Sequence, residues 1–164
     1  MLLYIIRHAW AGQHDDPEWP DDSLRPLTSE GRERFAKLVK LLVERGFSPR
    51  IVATSPLVRC RQTAEIVVAH APGEPRLVEL PALAPGSDLA SLLAWTDEAA
   101  GERDEVAWVG HAPDVSYLAA ALVGGSGGGI RFAKGGVAAI QFDGPPEPGQ
   151  GELRWLATAK LLGC

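Results

Sequence analysis

Three short apolar runs, each ending abruptly in a cation or an imidazole, limit what this chain can fold into more than any other feature. Leu2-Leu3-Tyr4-Ile5-Ile6 stops at Arg7-His8. Ile51-Val52-Ala53-Thr54 runs into Ser55-Pro56-Leu57-Val58-Arg59, and Val106-Ala107-Trp108-Val109-Gly110 into His111-Ala112-Pro113. Short continuous apolar runs of this kind read as strands buried on both faces of a sheet. Open α/β sheets present their ligand-binding groups at the carboxyl ends of such strands. The spacing therefore predicts that Arg7, His8, Arg59 and His111 meet at one edge of one sheet.

The segments between the runs carry helical signals. Thr28 can cap a helix whose first turns hold Glu30 and Glu33, and Phe35, Leu38, Val39 and Leu42 follow with helical spacing. Gly46 stands where a helix end favours glycine. After the second strand (about 50–54), Ser55 is expected to cap and Pro56 to fill the first helical position. Leu57, Ala64, Val67 and Val68 would form the inward stripe of that helix. A short third strand is expected near 77–80, a third helix near 87–99, a fourth strand near 105–110, and a fourth helix from Pro113-Asp114. Val115, Leu118, Ala119 and Leu122 form the apolar face of that last helix. The glycine-rich stretch Gly124 to Gly129 reads as a connector, since no Gly-Lys-Ser/Thr follows to make a Walker loop. Val137 to Phe142 and Leu153 to Thr158 then alternate strand with strand and should form a hairpin. The expected architecture is α/β, with a mostly parallel sheet and an antiparallel edge strand, in a single domain over 1–164.

Charge narrows the partners. The chain carries a formal net charge of −5, against nonspecific nucleic-acid binding. The imbalance is uneven: residues 1–80 hold 11 Lys/Arg and 11 Asp/Glu, residues 81–164 hold 5 and 10. A local anion site is thus compatible with an acidic protein. Cys60 and Cys164, the only cysteines, fit no zinc spacing and read as reduced thiols. No charged leader with an apolar core precedes the first strand, and no apolar stretch reaches the length of a membrane span, so a cytoplasmic location without a membrane partner is expected.

Four groups of this kind, placed together, have a definite chemistry. Two arginines can grip a phosphoryl group through forked, charge-assisted hydrogen bonds. Arg59 would also lie in the first turn of a helix, where free N–H groups attract anions. An imidazole among cations is held neutral and hence nucleophilic. His8 can then attack phosphorus, while His111 donates a hydrogen bond to the phosphoryl oxygens or moves a proton. With arginines neutralising the charge, no metal or other cofactor is required. Each group has a plainer alternative, as a surface ion pair, a strand-end histidine, a helix cap or a tight turn. Their coincidence at three strand ends points to a phosphate site.

The same residues carry a resemblance. Arg7-His8-Ala9, the string Ser55-Pro56-Leu57-Val58-Arg59-Cys60-Arg61-Gln62-Thr63-Ala64, and Val109-Gly110-His111-Ala112-Pro113 resemble the three signatures of the histidine phosphatase superfamily, also called phosphoglycerate mutase-like. Leu27-Thr28-Ser29-Glu30-Gly31 is similar to the segment that opens that family's first helix. The resemblance implies a three-layer α/β/α sandwich and catalysis without metal. It makes His8 the histidine that is phosphorylated, Arg7 and Arg59 the phosphate-clamping arginines, and His111 the second histidine of the pocket. Compactness, Ala9-Trp10-Ala11 after the Arg-His pair, and Leu80-Pro81-Ala82-Leu83-Ala84-Pro85-Gly86 resemble the short SixA-like branch, the phosphohistidine phosphatases.

That branch implies a phosphate-bearing substrate, a phosphohistidine on a partner protein. A phosphatase of small phosphomonoesters, a phosphoglycerate mutase and a noncatalytic phosphate-binding module are the other readings. Glu79 and Asp88 are the proton-donor candidates by position, each also readable as a loop or cap residue. The loop Trp10 to Trp19, with His14, Asp15, Asp16 and Glu18, is expected to run over the surface, edging the pocket rather than holding a metal. His70 is expected at a helix end, where it favours the helix dipole.

Overall fold

A computed structural model describes residues 1–101, 104–125 and 129–164. Part of the expected connector, residues 126–128, lies outside the described residues. The remainder forms one six-stranded sheet in the order β3-β2-β4-β1-β5-β6. The strands are β1 (Leu2–Arg7), β2 (Ile51–Thr54), β3 (Arg76–Glu79), β4 (Glu105–Gly110), β5 (Val137–Gln141) and β6 (Glu152–Ala157). The first four run parallel, and β5 and β6 add an antiparallel hairpin on the far side of β1.

Alternation along β1 explains the layers. Leu3 and Ile5 point to one face, where Leu92 of α3 (Leu89–Ala99) and Val115, Leu118 and Leu122 of α4 (Asp114–Leu122) cover them. Tyr4 and Ile6 point to the other, against Phe35, Leu38 and Leu42 of α1 (Ser29–Val43) and Ala64 and Val67 of α2 (Val58–His70). A strand buried on both faces must be apolar at every position, which is why these runs do not alternate with polar residues. The result is the three-layer α/β/α arrangement. The capping expectations for α1 hold: the Thr28 side chain accepts the Gly31 N–H, and Gly46 adopts φ +93° just past the helix. Asp88 caps α3 by accepting the Ser91 N–H.

One expectation is corrected. The helix after β2 starts at Val58, with Leu57 as its cap residue, not at Pro56 with Ser55 as cap. Ser55 Oγ lies 2.8 Å from His111 Nε2 and is committed to that ring as well as to the Leu57 N–H. The inward face of α2 shifts accordingly. It comprises Arg59, Cys60, Thr63, Ala64 and Val67, while Leu57 and Val68 are only half-buried.

The topology makes a crevice. After β1 the chain leaves to α1 on one face; after the adjacent β4 it leaves to α4 on the other. Neighbouring strands whose connections part in this way open a gap at their carboxyl ends, the usual ligand position in open α/β sheets. Arg7 pairs in register with Gly110, and the His8 N–H donates to the Gly110 carbonyl at 3.0 Å, so His8 and His111 emerge side by side.

Gly31 lets α1 approach this region. The Thr28 N–H donates to the Trp10 carbonyl at 3.0 Å, and a Cβ on Gly31 would press into that same carbonyl and into Trp10 Cβ. Because the obstacle is backbone, Gly31→Ala is expected to destabilise the fold by about 1–3 kcal/mol. Denaturant unfolding checks this, and an unchanged midpoint would contradict it.

Candidate active site

The crevice holds a pocket of about 590 Å³. Arg7, His8, Arg59 and His111 all line it, so the four residues singled out in the sequence do converge. Three are largely withdrawn from solvent: His8 is 9%, Arg59 5% and His111 4% exposed.

The His8 ring is fixed by its immediate neighbour. Its Nδ1 lies 2.8 Å from the Ala9 carbonyl oxygen, an acceptor only, so Nδ1 carries the proton and donates it there. Nε2 is left unprotonated on a ring that lines the pocket. Ala9 is itself held, because its N–H donates to Thr63 Oγ1 at 3.0 Å, and that hydroxyl donates to the Arg59 carbonyl at 2.7 Å. Gln62 accepts the Leu27 N–H at 2.8 Å. The Arg-x-x-Gln-Thr string thus ties α2 to the segments after β1, and the local geometry of His8 depends on it.

Burial pushes the His8 ring down to about 3, with the charges of its neighbours acting the same way against the Ala9 hydrogen bond. Burial likewise lowers His111 to about 4, aided by Arg59. The two rings stand 5.4 Å apart between centroids, at 59°. Both are therefore neutral near pH 7, which is the form a histidine nucleophile needs. His111 Nε2 also lies 3.4 Å from Cys60 Sγ. The Cys60 thiol is buried and pushed up to about 12 by desolvation, so it packs against the ring as an uncharged group.

The two arginines share a pattern. Arg7 Nη1 donates to the Phe132 carbonyl at 2.8 Å, and Arg59 Nη1 donates to the Asp22 carbonyl at 2.7 Å. In each, Nε is buried without a partner. An unmet buried guanidinium donor is costly, by about 1–3 kcal/mol or more, unless something else satisfies it.

Sequence reasoning missed several lining residues. Arg25, only 8% exposed, donates Nε to Asp22 Oδ1 at 2.8 Å and Nη1 to the Gly12 carbonyl at 2.7 Å. Asp22 also pairs with Arg59 Nη2 at 3.0 Å, and the Arg25 hydrogen bond holds its carboxyl below the usual range. Lys134 and Asp114 complete the charged lining. The Asp114 carboxylate accepts the Gly86 N–H at 2.9 Å. An Asp-x-x-Arg pair inside a loop of mostly solvated charges gives no periodic signal, which is why it escaped notice.

The loop expected to edge the pocket does so through Ala11, Gly12, Gln13 and His14. His14 pairs with Asp15 at 2.9 Å. Among the described residues no group of three or more His, Cys, Asp or Glu side chains is placed to hold a metal ion. Glu79, at the end of β3, and Asp88, the cap of α3, do not line the pocket, so neither proposed proton donor is in reach of it. His70 closes α2, away from the site.

Comparison with known proteins agrees with this picture. A profile of the histidine phosphatase superfamily (branch 1) matches residues 3–84. An uncharacterized protein of Picosynechococcus sp. is 35% identical over 86% of this chain and 85% of its own. Phosphohistidine phosphatase SixA of Escherichia coli is 28% identical over 94% of this chain and 92% of its own. A SixA structure in complex with tungstate superposes with TM-score 0.81, at 28% identity and 99% coverage of both chains. A phosphoserine phosphatase from Entamoeba histolytica, at 15% identity and TM-score 0.64 over 96% of each chain, shares the fold. The chain belongs to the histidine phosphatase superfamily and resembles its SixA-like branch, and phosphatase chemistry follows from that membership. No helix among the described residues is long and apolar enough to cross a membrane.

The depressed ring values have two consequences. In a titration followed by nitrogen NMR, the His8 and His111 side chains are expected to remain neutral from pH 8 down to about pH 5, and a midpoint near 6.5 would contradict the burial argument. Since both folded values lie below 6.5, the stability they contribute is present above pH 6.5 and is lost as pH falls toward 3–4.

Proposed function

We propose that this member of the histidine phosphatase superfamily hydrolyses phosphohistidine on a partner protein through a phosphoenzyme at His8. The observation that carries the reading is the neutral His8 ring, its proton held on Nδ1 and its Nε2 free, in a pocket lined by two arginines whose buried Nε groups lack partners.

The chemistry balances without a further reactant. The Nε2 lone pair attacks phosphorus while the P–N bond to the substrate histidine breaks. The departing imidazole keeps the bonding pair and takes up a proton. Water then attacks the phosphoenzyme, the P–Nε2 bond breaks, and inorganic phosphate leaves with neutral His8 restored. The proton given up by the water offsets the one taken by the leaving imidazole. Arg7 and Arg59 hold the phosphoryl oxygens as charge spreads onto them, and His111 lies close enough to hydrogen-bond the same oxygens or pass a proton. Guanidinium charge takes the part a metal ion plays elsewhere, so turnover in the presence of a chelator is expected.

The pocket's acids favour this substrate class. Asp22 is an ionised acceptor between two guanidinium groups, and Asp114 accepts from Gly86. An alkoxide leaving group needs a strong proton donor; an imidazole, far more readily protonated, does not. The E. coli relative's name, a phosphohistidine phosphatase, supports the same choice. Small phosphomonoesters are the second reading, since Asp114 is a carboxyl group on the pocket wall.

With a chelator present, a phosphohistidine-bearing carrier protein is expected to be turned over with higher kcat/KM than a chromogenic phosphate ester. Preference for the ester would favour the second reading. His8→Ala is expected to abolish turnover of both, and Arg59→Ala to lower kcat/KM by about 10²–10³-fold with the fold intact by circular dichroism. Full activity in the His8 variant would defeat the assignment.

A further inference from the structure

Arg59 is gripped more closely than a simple anion-binding arginine requires. Asp22 begins a one-turn 3-10 segment, Asp22–Leu24, in the loop between β1 and α1. Its backbone carbonyl accepts Arg59 Nη1 at 2.7 Å, and its Oδ2 takes Nη2 at 3.0 Å. Its other carboxylate oxygen accepts Arg25 Nε at 2.8 Å, and Arg25 is anchored in turn to the Gly12 carbonyl. One carboxylate therefore joins a half-exposed loop to two buried guanidinium groups.

The shape of the guanidinium makes this arrangement directional. Its five N–H groups lie in one plane, as an end-on fork (Nη1 and Nη2) and a side-on fork (Nε and Nη2). The Asp22 carbonyl takes Nη1 of the end-on fork, and its carboxylate lies against Nη2 as an ion pair. The side-on edge is the one left, and its Nε is buried with no partner. A carboxylate that merely plugged the anion site would satisfy Nε; Asp22 leaves it without a partner.

We propose that Asp22 is a positioning residue for Arg59. By occupying the end-on fork it fixes the rotation of the guanidinium, so that the side-on edge faces the phosphoryl oxygens, and Arg25 holds Asp22 in place. Asp22 does not touch the substrate. Two acceptor oxygens are needed because two guanidinium groups converge on it. An amide would turn an N–H donor toward one of them, so even Asp22→Asn breaks the arrangement. The proposal rests on the reading of Arg59 as a phosphate clamp.

A double-mutant cycle tests it, with hydrolysis of p-nitrophenyl phosphate and inhibition by inorganic phosphate as readouts. Asp22→Ala and Asp22→Asn are each expected to lower kcat/KM by roughly ten- to a hundredfold, the scale on which a misplaced binding group acts. Phosphate inhibition should weaken alongside, with the circular dichroism spectrum unchanged. In an Arg59→Ala background, Asp22→Ala should add little further loss. In an Arg7→Ala background its effect should persist in full. Should Asp22→Ala fail to fold, the near-isosteric Asp22→Asn carries the same comparisons. Higher activity or tighter phosphate inhibition in the Asp22 variants would mark a plug and overturn the proposal. So would a loss that stays undiminished once Arg59 is gone. Wild-type activity in Arg59→Ala alone would instead defeat the phosphate-clamp reading beneath it. Impaired Arg59→Ala with normal Asp22 variants would overturn the positioning role alone.

Discussion

Two guanidinium groups that line one crevice, each with a buried and unmet Nε–H, are the constraint on which the rest of this structure depends. A folded chain does not normally leave charged donors unsatisfied inside it, because the loss is comparable to a large part of its whole stability. The surrounding fold holds them there. β1 supplies Arg7, the turn after β2 leads to Arg59, and their Nη groups are tied to main-chain carbonyls of Phe132 and Asp22. The same burial that makes the donors costly makes them effective toward an anion, since little water competes for them.

The pocket's histidines follow from that environment. Desolvation and neighbouring cations disfavour protonation of His8, while the Ala9 carbonyl decides which nitrogen keeps the proton. The small residue after His8 has a role here. Ala9 is fully buried, donates to Thr63 and accepts from the His8 ring, so there is no room for a large side chain beside the ring. Superfamily membership and this geometry point the same way. A neutral ring between guanidinium groups is suited to taking up a phosphoryl group and surrendering it to water.

Much of this was legible in the residues. Continuous apolar runs identified β1, β2 and β4, because strands covered on both faces allow no polar alternation. Thr28 and Gly46 marked the ends of α1 by their capping chemistry, and their structural roles agree. Ser55 was misread because Ser-Pro before a helix has the same spelling as a cap. Its hydroxyl serves His111 as well as the Leu57 N–H, and the His111 contact, between residues 56 positions apart, is one that no local pattern encodes. Asp22, Arg25 and Lys134 were invisible for a related reason. Charged loop residues look alike in sequence, and only tertiary folding separates those buried in the pocket from those left in solvent. Glu79 and Asp88 stand near the third strand's end, yet that strand lies at the sheet edge, with two strands between it and β1.

On this mechanism phosphorus passes through one nitrogen of one ring. Rapid quenching in base during turnover, followed by phosphorus NMR on protein labelled with nitrogen-15 in its histidines, reads this directly. A phosphorus–nitrogen coupling to Nε2 of His8, absent from the His8→Ala protein, is the expected result. A phosphoryl group found on His111, on Nδ1, or on no histidine at all would contradict it.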